Sequence, residues 1–127
     1  MLFKNVSIAG LAHVDAPHTL TSQEINERLK PTLDRLGIRV DVLGDIAGIH
    51  ARRMWDEDVQ ASDAATLAAR KALDDAGIDV GRVGLLVNTS VSRDFLEPST
   101  ASIVSGNLGV SDECMTFDVA NACLAFI

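Results

Sequence analysis

The sequence predicts an α/β fold with a mostly parallel or mixed sheet. Three observations carry this. Apolar strand-like runs alternate with helical patterns along the chain. The run Val83-Gly84-Leu85-Leu86-Val87-Asn88-Thr89-Ser90 is nearly continuous apolar sequence, as in a parallel strand covered on both faces. The segment from Ser62 to Ala76 carries a wide alanine-rich face, which lets a helix approach a sheet or another helix closely.

Each element has its own signal. Asn5–Ala12 alternates apolar with small or polar residues and reads as a first strand. Thr21-Ser22-Gln23-Glu24 offers a capping box, and Ile25, Leu29, Leu33 and Leu36 follow at helical spacing. Pro31 is expected to kink or divide that helix, and Gly37 to end it. Asp41–Trp55 reads as irregular, with turns at Gly44 and Gly48. Ser62 or Asp63 is expected to cap the alanine-rich helix and Gly77 to close it, with the face buried. Pro98 suits the first position of a helix running to Leu108, closed by Gly109. Met115–Ala120 reads as a further strand, with a helix starting at Asn121.

The 127 residues amount to one domain or less. The last residues, through Leu124-Ala125-Phe126-Ile127, begin an apolar element with no cap or glycine stop. They are expected to lead into a longer polypeptide, so that 1–127 is the N-terminal portion of an incomplete domain; a C-terminal strand docked in a sheet is the alternative. Composition narrows the function. Hydrophobic residues make up 47% and charged residues 23%, which excludes a disordered tail. No apolar run approaches the ~20 residues of a membrane-spanning helix, and Met1-Leu2-Phe3-Lys4-Asn5 does not start a secretory signal. A net charge of −7 disfavours a nucleic-acid binder that works by neutralising phosphates. Two cysteines exclude a disulfide scaffold, and a reducing, cytoplasmic setting fits. The dinucleotide and triphosphate glycine motifs are absent.

Chemistry concentrates at two points. Cys123 follows a strand, at what reads as the first turn of a helix. Amides and the helix dipole there favour an anion, so a thiolate nucleophile is one reading and a small buried hydrophobe the other. Cys114 has no such setting and reads as structural. Glu97, before Pro98, either complements a helix dipole or serves as a general base in an apolar surround. Arg52 and Arg53 could meet phosphates or lie exposed in a loop. His13, His18 and His50 lie in separate segments without metal-ligand spacing, and no metal site is expected.

Several of these stretches occur together in a known order. They are Gly48-Ile49-His50-Ala51-Arg52-Arg53, the helix through Ala76-Gly77-Ile78, Leu85–Ser90, Pro98-Ser99-Thr100-Ala101, Leu108-Gly109 and Phe117-Asp118-Val119-Ala120-Asn121-Ala122-Cys123. In this the chain resembles ketoacyl synthase III-like members of the thiolase superfamily, whose layered αβαβα fold is then expected. Asn88–Thr100 narrows the resemblance to members that join two long-chain acyl-CoA thioesters head to head.

The resemblance implies a bacterial acyltransferase acting through a cysteine nucleophile. Cys123 would take the first acyl group and release CoA. Glu97, reaching across a homodimer, would deprotonate the second acyl-CoA. A non-decarboxylative Claisen condensation and hydrolysis would give a β-keto acid, the first step toward long-chain olefins. Coenzyme A enters as substrate, with no resident cofactor; Arg52 and Arg53 are candidates for its phosphates. The family's catalytic histidine and asparagine fall beyond residue 127, so the C-terminal remainder is an expected partner and the 127 residues alone are expected to be inactive. The tryptophan that stacks on adenine in many synthase III enzymes has no counterpart around Asp34–Asp41. A 3-oxoacyl-ACP synthase III using malonyl-ACP is the near alternative; a non-catalytic assembly segment is the distant one.

Overall fold

The computed structural model describes residues 4–38 and 42–126. Asp41, where the irregular segment was expected to start, and Ile127 lie outside the described residues, as do Met1, Leu2 and Phe3. The described elements are β1 (His18–Thr21), α1 (Ser22–Leu36), a π turn (Val42–Ile46), β2 (Ala51–Met54), α2 (Ala61–Ala76), a 3₁₀ turn (Val80–Arg82), β3 (Leu85–Asn88), α3 (Thr100–Leu108) and β4 (Met115–Asp118). They divide into two compact units: Asp15–Glu57, and the described residues on either side of it.

In the unit Asp15–Glu57, β1 and β2 pair antiparallel, His18 opposite Met54 and Thr21 opposite Ala51. α1 follows β1 directly, and its start is built as the sequence predicts. The Thr21 hydroxyl accepts from the Glu24 amide at 3.1 Å, and the Glu24 carboxylate accepts from the Thr21 amide at 2.8 Å. Hydrogen bonds from the Thr21 side chain and backbone hold the Glu24 carboxyl below its ordinary range. Gly37 ends the helix at φ 69°, a left-handed conformation that favours glycine. Pro31 does not divide α1, contrary to expectation. Proline removes one helical donor, and the carbonyl left without it belongs to Glu27, which is exposed to water. The segment before Trp55 is not irregular throughout. Gly48 does take a positive φ of 66°, but Gly44 lies inside the π turn and Ala51–Met54 is a strand. The Ser22 amide and hydroxyl both donate into the approach to β2, to the His50 and Ile49 carbonyls. Ser22 and Ala16 are buried here.

In the other unit, β3, α3 and β4 form a βαβ crossover, with β3 and β4 parallel and Leu85 opposite Met115. α3 covers this pair and packs on α2. Ala101, Val104 and Leu108 are buried at the centre. The buried face of α2 is not its alanine stripe but Ser62 and Thr66, with the Thr66 hydroxyl satisfied by the Ser62 carbonyl at 2.7 Å. α2 is capped two residues before Ser62, the earlier of the two expected caps. Gln60 is the cap residue, and the Asp63 carboxylate accepts from its amide at 3.0 Å. Gly77 closes the helix as predicted, at φ 63°.

Two strand expectations are corrected. Asn5–Ala12 forms no strand. Gly10–Ala12 and Leu86–Ser90 line one open cleft of about 610 Å³ with the alanines of α2, and among the described residues the strand pairing of β3 is with β4. β3 is likewise not buried on both faces, since Leu85 is 51% and Val87 37% exposed.

Gly10 lies tight against α2. A Cβ there would meet the Ala72 carbonyl oxygen at 2.8 Å and the Ala76 Cβ at 2.9 Å. Gly10→Val is therefore expected to destabilise the protein by ~1–3 kcal/mol, because backbone cannot yield as a side chain does. A urea unfolding midpoint equal to wild type would count against that packing.

Candidate active site

The site residues sit where β3, β4 and α3 meet. Asn88 and Asp118 end their strands as register partners. Thr100 and Ala101 are the first residues of α3. The Asp118 carboxylate joins all three elements. It accepts from the Thr100 amide at 2.9 Å, the Ala101 amide at 2.8 Å and the Asn88 side-chain amide at 3.2 Å. Partial burial pushes this carboxyl upward, but the Ala101, Thr100 and Asn88 hydrogen bonds, with Arg93 nearby, hold it below the ordinary carboxylate range. Asp118 is thus an anion placed on helix amides that would otherwise lack partners.

Pro98 does not open α3. The helix starts at Thr100, and Ser99 is its N-cap, the Ser99 hydroxyl accepting from the Ser102 amide at 3.2 Å. A hydroxyl that reaches the third amide beyond it is a better cap than proline, which offers none. Glu97 therefore lies on the loop before the helix. That loop is held upstream by Asp94, whose carboxylate accepts from the Ser62 amide at the start of α2 at 3.0 Å. Glu97 is exposed, between the exposed Phe95 and Leu96 and Pro98. The apolar surround expected for a general base is not formed around it by the described residues.

Cys123 stands five residues beyond β4 and is exposed, so the sulfur is open to a reagent. No helix begins at Asn121. Ala122 and residues 124–126 form turns around an isolated bridge between Asn121 and Cys123, with the Leu124 amide donating to the Asn121 carbonyl at 2.9 Å. The helix-terminal amides expected around the sulfur are accordingly not assembled here. Ala122 takes φ 44°, a left-handed conformation costing a non-glycine residue ~1–2 kcal/mol, immediately before the cysteine. Cys114 is half-buried, and its thiol donates to the Met115 carbonyl at 3.6 Å.

Arg52 and Arg53 belong to the other unit. They lie on β2 rather than in a loop, and as strand neighbours they point to opposite faces. Arg53 donates to the Pro17 carbonyl at 3.5 Å. His18 pairs with Asp56 at 2.7 Å on the surface. Among the described residues no group of three or more His, Cys, Asp or Glu could hold a metal ion, and no helix is long and apolar enough to cross a membrane. Sequence reading missed Asp118, Asn88 and Asp94. The signal for Asp118 was a carboxylate closing an otherwise apolar strand, beside a helix start whose first amides no local side chain serves.

No family model matches the chain. Solved structures do. A crystal structure of 3-oxoacyl-(acyl carrier protein) synthase III from Xanthomonas oryzae pv. oryzae is 83% identical, with a TM-score of 0.91, over 99% of this chain and 37% of that one. Over its length the chain thus has the fold of the N-terminal part of ketoacyl synthase III-like proteins, to which it is similar in sequence. A narrower similarity stands beside this. The acyl-CoA:acyl-CoA alkyltransferase of Xanthomonas campestris pv. campestris is 84% identical over all 127 residues. The cerulenin-bound crystal structure of X. campestris OleA is 83% identical, with a TM-score of 0.91, over 99% of this chain and 37% of that one. The chain spans little more than a third of the length of these relatives, 38% of the alkyltransferase.

Proposed function

We propose that a full-length protein carrying these residues condenses two long-chain acyl-CoA molecules to a β-keto acid, opening a route to long-chain olefins. The 84% identity to an acyl-CoA:acyl-CoA alkyltransferase over the whole chain carries this reading. Two named positions support it. X. campestris OleA has been solved with a glutamate replaced at its position 117 and a cysteine at its position 143. Those positions are 26 apart, as are Glu97 and Cys123.

The chemistry divides between the two side chains. The Cys123 thiolate attacks the first thioester carbonyl, and CoA leaves as the thiol. The Glu97 carboxylate takes a proton from the α-carbon of the second acyl-CoA. The carbanion attacks the acyl-cysteine, the cysteine sulfur leaves, and a β-ketoacyl-CoA forms. Water then cleaves the remaining thioester, giving the β-keto acid and a second CoA. Coenzyme A is substrate throughout, with Arg52 and Arg53 as candidates for its phosphates. The developing oxyanion needs fixed donors, for which the Cys123 amide is a candidate. The exposed Phe95 and Leu96 beside Glu97 suit a loop that enters a second subunit, which supports a homodimer as the active form, and a cytoplasmic setting suits a free cysteine nucleophile kept reduced. The remainder of the protein supplies the rest of the catalytic set.

The 83% identity to the X. oryzae synthase III favours a second reading, a 3-oxoacyl-ACP synthase III that uses malonyl-ACP. Product analysis separates the two. Two acyl-CoA molecules are expected to give one β-keto acid holding both chains, two CoA and no carbon dioxide. Carbon dioxide released only with malonyl-ACP would instead establish the synthase. Failure of an acyl-CoA to acylate Cys123, with Cys114 as internal control, would leave an assembly role.

A further inference from the structure

The loop that carries Glu97 exposes two large apolar side chains beside it. Leu96 is 83% and Phe95 58% exposed, and Glu97 itself is exposed. The loop is pinned on both sides of them. Upstream, the Asp94 carboxylate accepts from the Ser62 amide at 3.0 Å; downstream, the Ser99 hydroxyl caps α3 by accepting from the Ser102 amide at 3.2 Å. Only Phe95, Leu96, Glu97 and Pro98 lie between those pins. Leu96 adjoins Glu97 directly, with consecutive Cα atoms ~3.8 Å apart. Wherever Glu97 is placed, Leu96 goes with it.

The chemistry fixes what Glu97 meets there. The proton it removes sits on the α-carbon of an acyl-CoA, and that carbon also bears the alkyl chain. A carboxylate oxygen roughly 3 Å from the α-carbon has the first methylenes of the chain a few bond lengths away. The residue beside the base is then the one that faces them. A polar side chain there would lose water on meeting methylenes and gain no partner, whereas an exposed leucine gains by the contact. Resting on the function proposed above, we infer that Leu96 enters the partner subunit's site with Glu97 and packs against the alkyl chain of the second acyl-CoA, next to its α-carbon. It is a binding residue for that substrate and takes no part in acylating Cys123.

The test uses a full-length protein carrying these residues, with Cys123 acylated beforehand and counted by intact mass. Leu96→Ala is expected to raise the KM for the second acyl-CoA about tenfold with kcat unchanged, because the contact is the same before and during proton transfer. Leu96→Met conserves volume and is expected to keep the wild-type KM. Should Leu96→Ala fail to fold or to dimerise, Leu96→Val is expected to raise the KM about threefold by the same route. Mixed dimers locate the contact. A Leu96→Ala chain coexpressed with an excess of Cys123→Ala chain has its own Cys123 served by the normal Leu96 of the other subunit, and the wild-type KM is expected to return. A KM that stays raised in the mixed dimer, a fall in kcat in place of the rise in KM, or an unchanged KM in Leu96→Ala overturns the inference. So does a raised KM that vanishes once the protein is concentrated enough to dimerise fully, which leaves Leu96 a subunit contact only. Wild-type protein that does not condense two acyl-CoA molecules sinks instead the activity reading on which the inference rests.

Discussion

Glu97→Gln is expected to abolish condensation of two acyl-CoA molecules, by about 10²–10⁴-fold, while leaving transfer of the first acyl group to Cys123 largely intact. The amide matches the carboxylate in size and keeps an acceptor oxygen, so binding and folding lose little at this exposed position. What it cannot do is accept a proton from carbon. An α-proton of a thioester is weakly acidic, and without decarboxylation nothing else generates the carbanion. The two half-reactions therefore separate. A burst of one CoA per site should persist, and the second CoA and the β-keto acid should disappear. A malonyl-ACP-dependent synthase behaves differently, because loss of carbon dioxide supplies the carbanion and leaves no step for Glu97. Normal condensation by Glu97→Gln would falsify the base assignment without touching Cys123.

The parts of this fold that sequence makes legible are those written in adjacent residues. Thr21 with Glu24, and Gly37, Gly77 and Gly109 at helix ends, are local grammar, and each appears where it was read. The parallel pairing of β3 with β4 was legible because the crossover needs a helix, and Thr100–Leu108 supplies one. Where pairing depends on distant residues, the reading failed. β1 and β2 are four residues each, and Arg52-Arg53 gives β2 no apolar alternation, so neither was visible. Asn5–Ala12 has the alternation, but a strand exists only with a partner, and among the described residues it pairs with none. The site divides in the same way. Cys123 and Glu97 were legible as residue types in a known order. Asp118 was not, because its three partners lie 17 to 30 residues away in sequence. The helix expected at Asn121 is not formed among the described residues.

Cys123→Ala is expected to have the larger effect, removing both half-reactions rather than one. Without the sulfur there is no acyl-enzyme, and the second substrate has no electrophile to meet. Losses of ~10⁴-fold or more are typical when a covalent nucleophile is deleted. Cys123→Ser should fall nearly as far, since a hydroxyl is a weak nucleophile unless an adjacent base activates it. The control is Cys114→Ala. Cys114 is half-buried with its thiol turned to the Met115 carbonyl, so its replacement should leave CoA release unchanged. Cys123 is exposed beyond the end of β4, which makes it the sulfur a bulky thioester can reach. Intact mass after mixing with one equivalent of acyl-CoA reads the outcome directly. Wild type and Cys114→Ala should gain one acyl group, and Cys123→Ala none. An adduct that survives in Cys123→Ala, or vanishes in Cys114→Ala, would move the nucleophile elsewhere and remove the reason for placing Glu97 opposite Cys123.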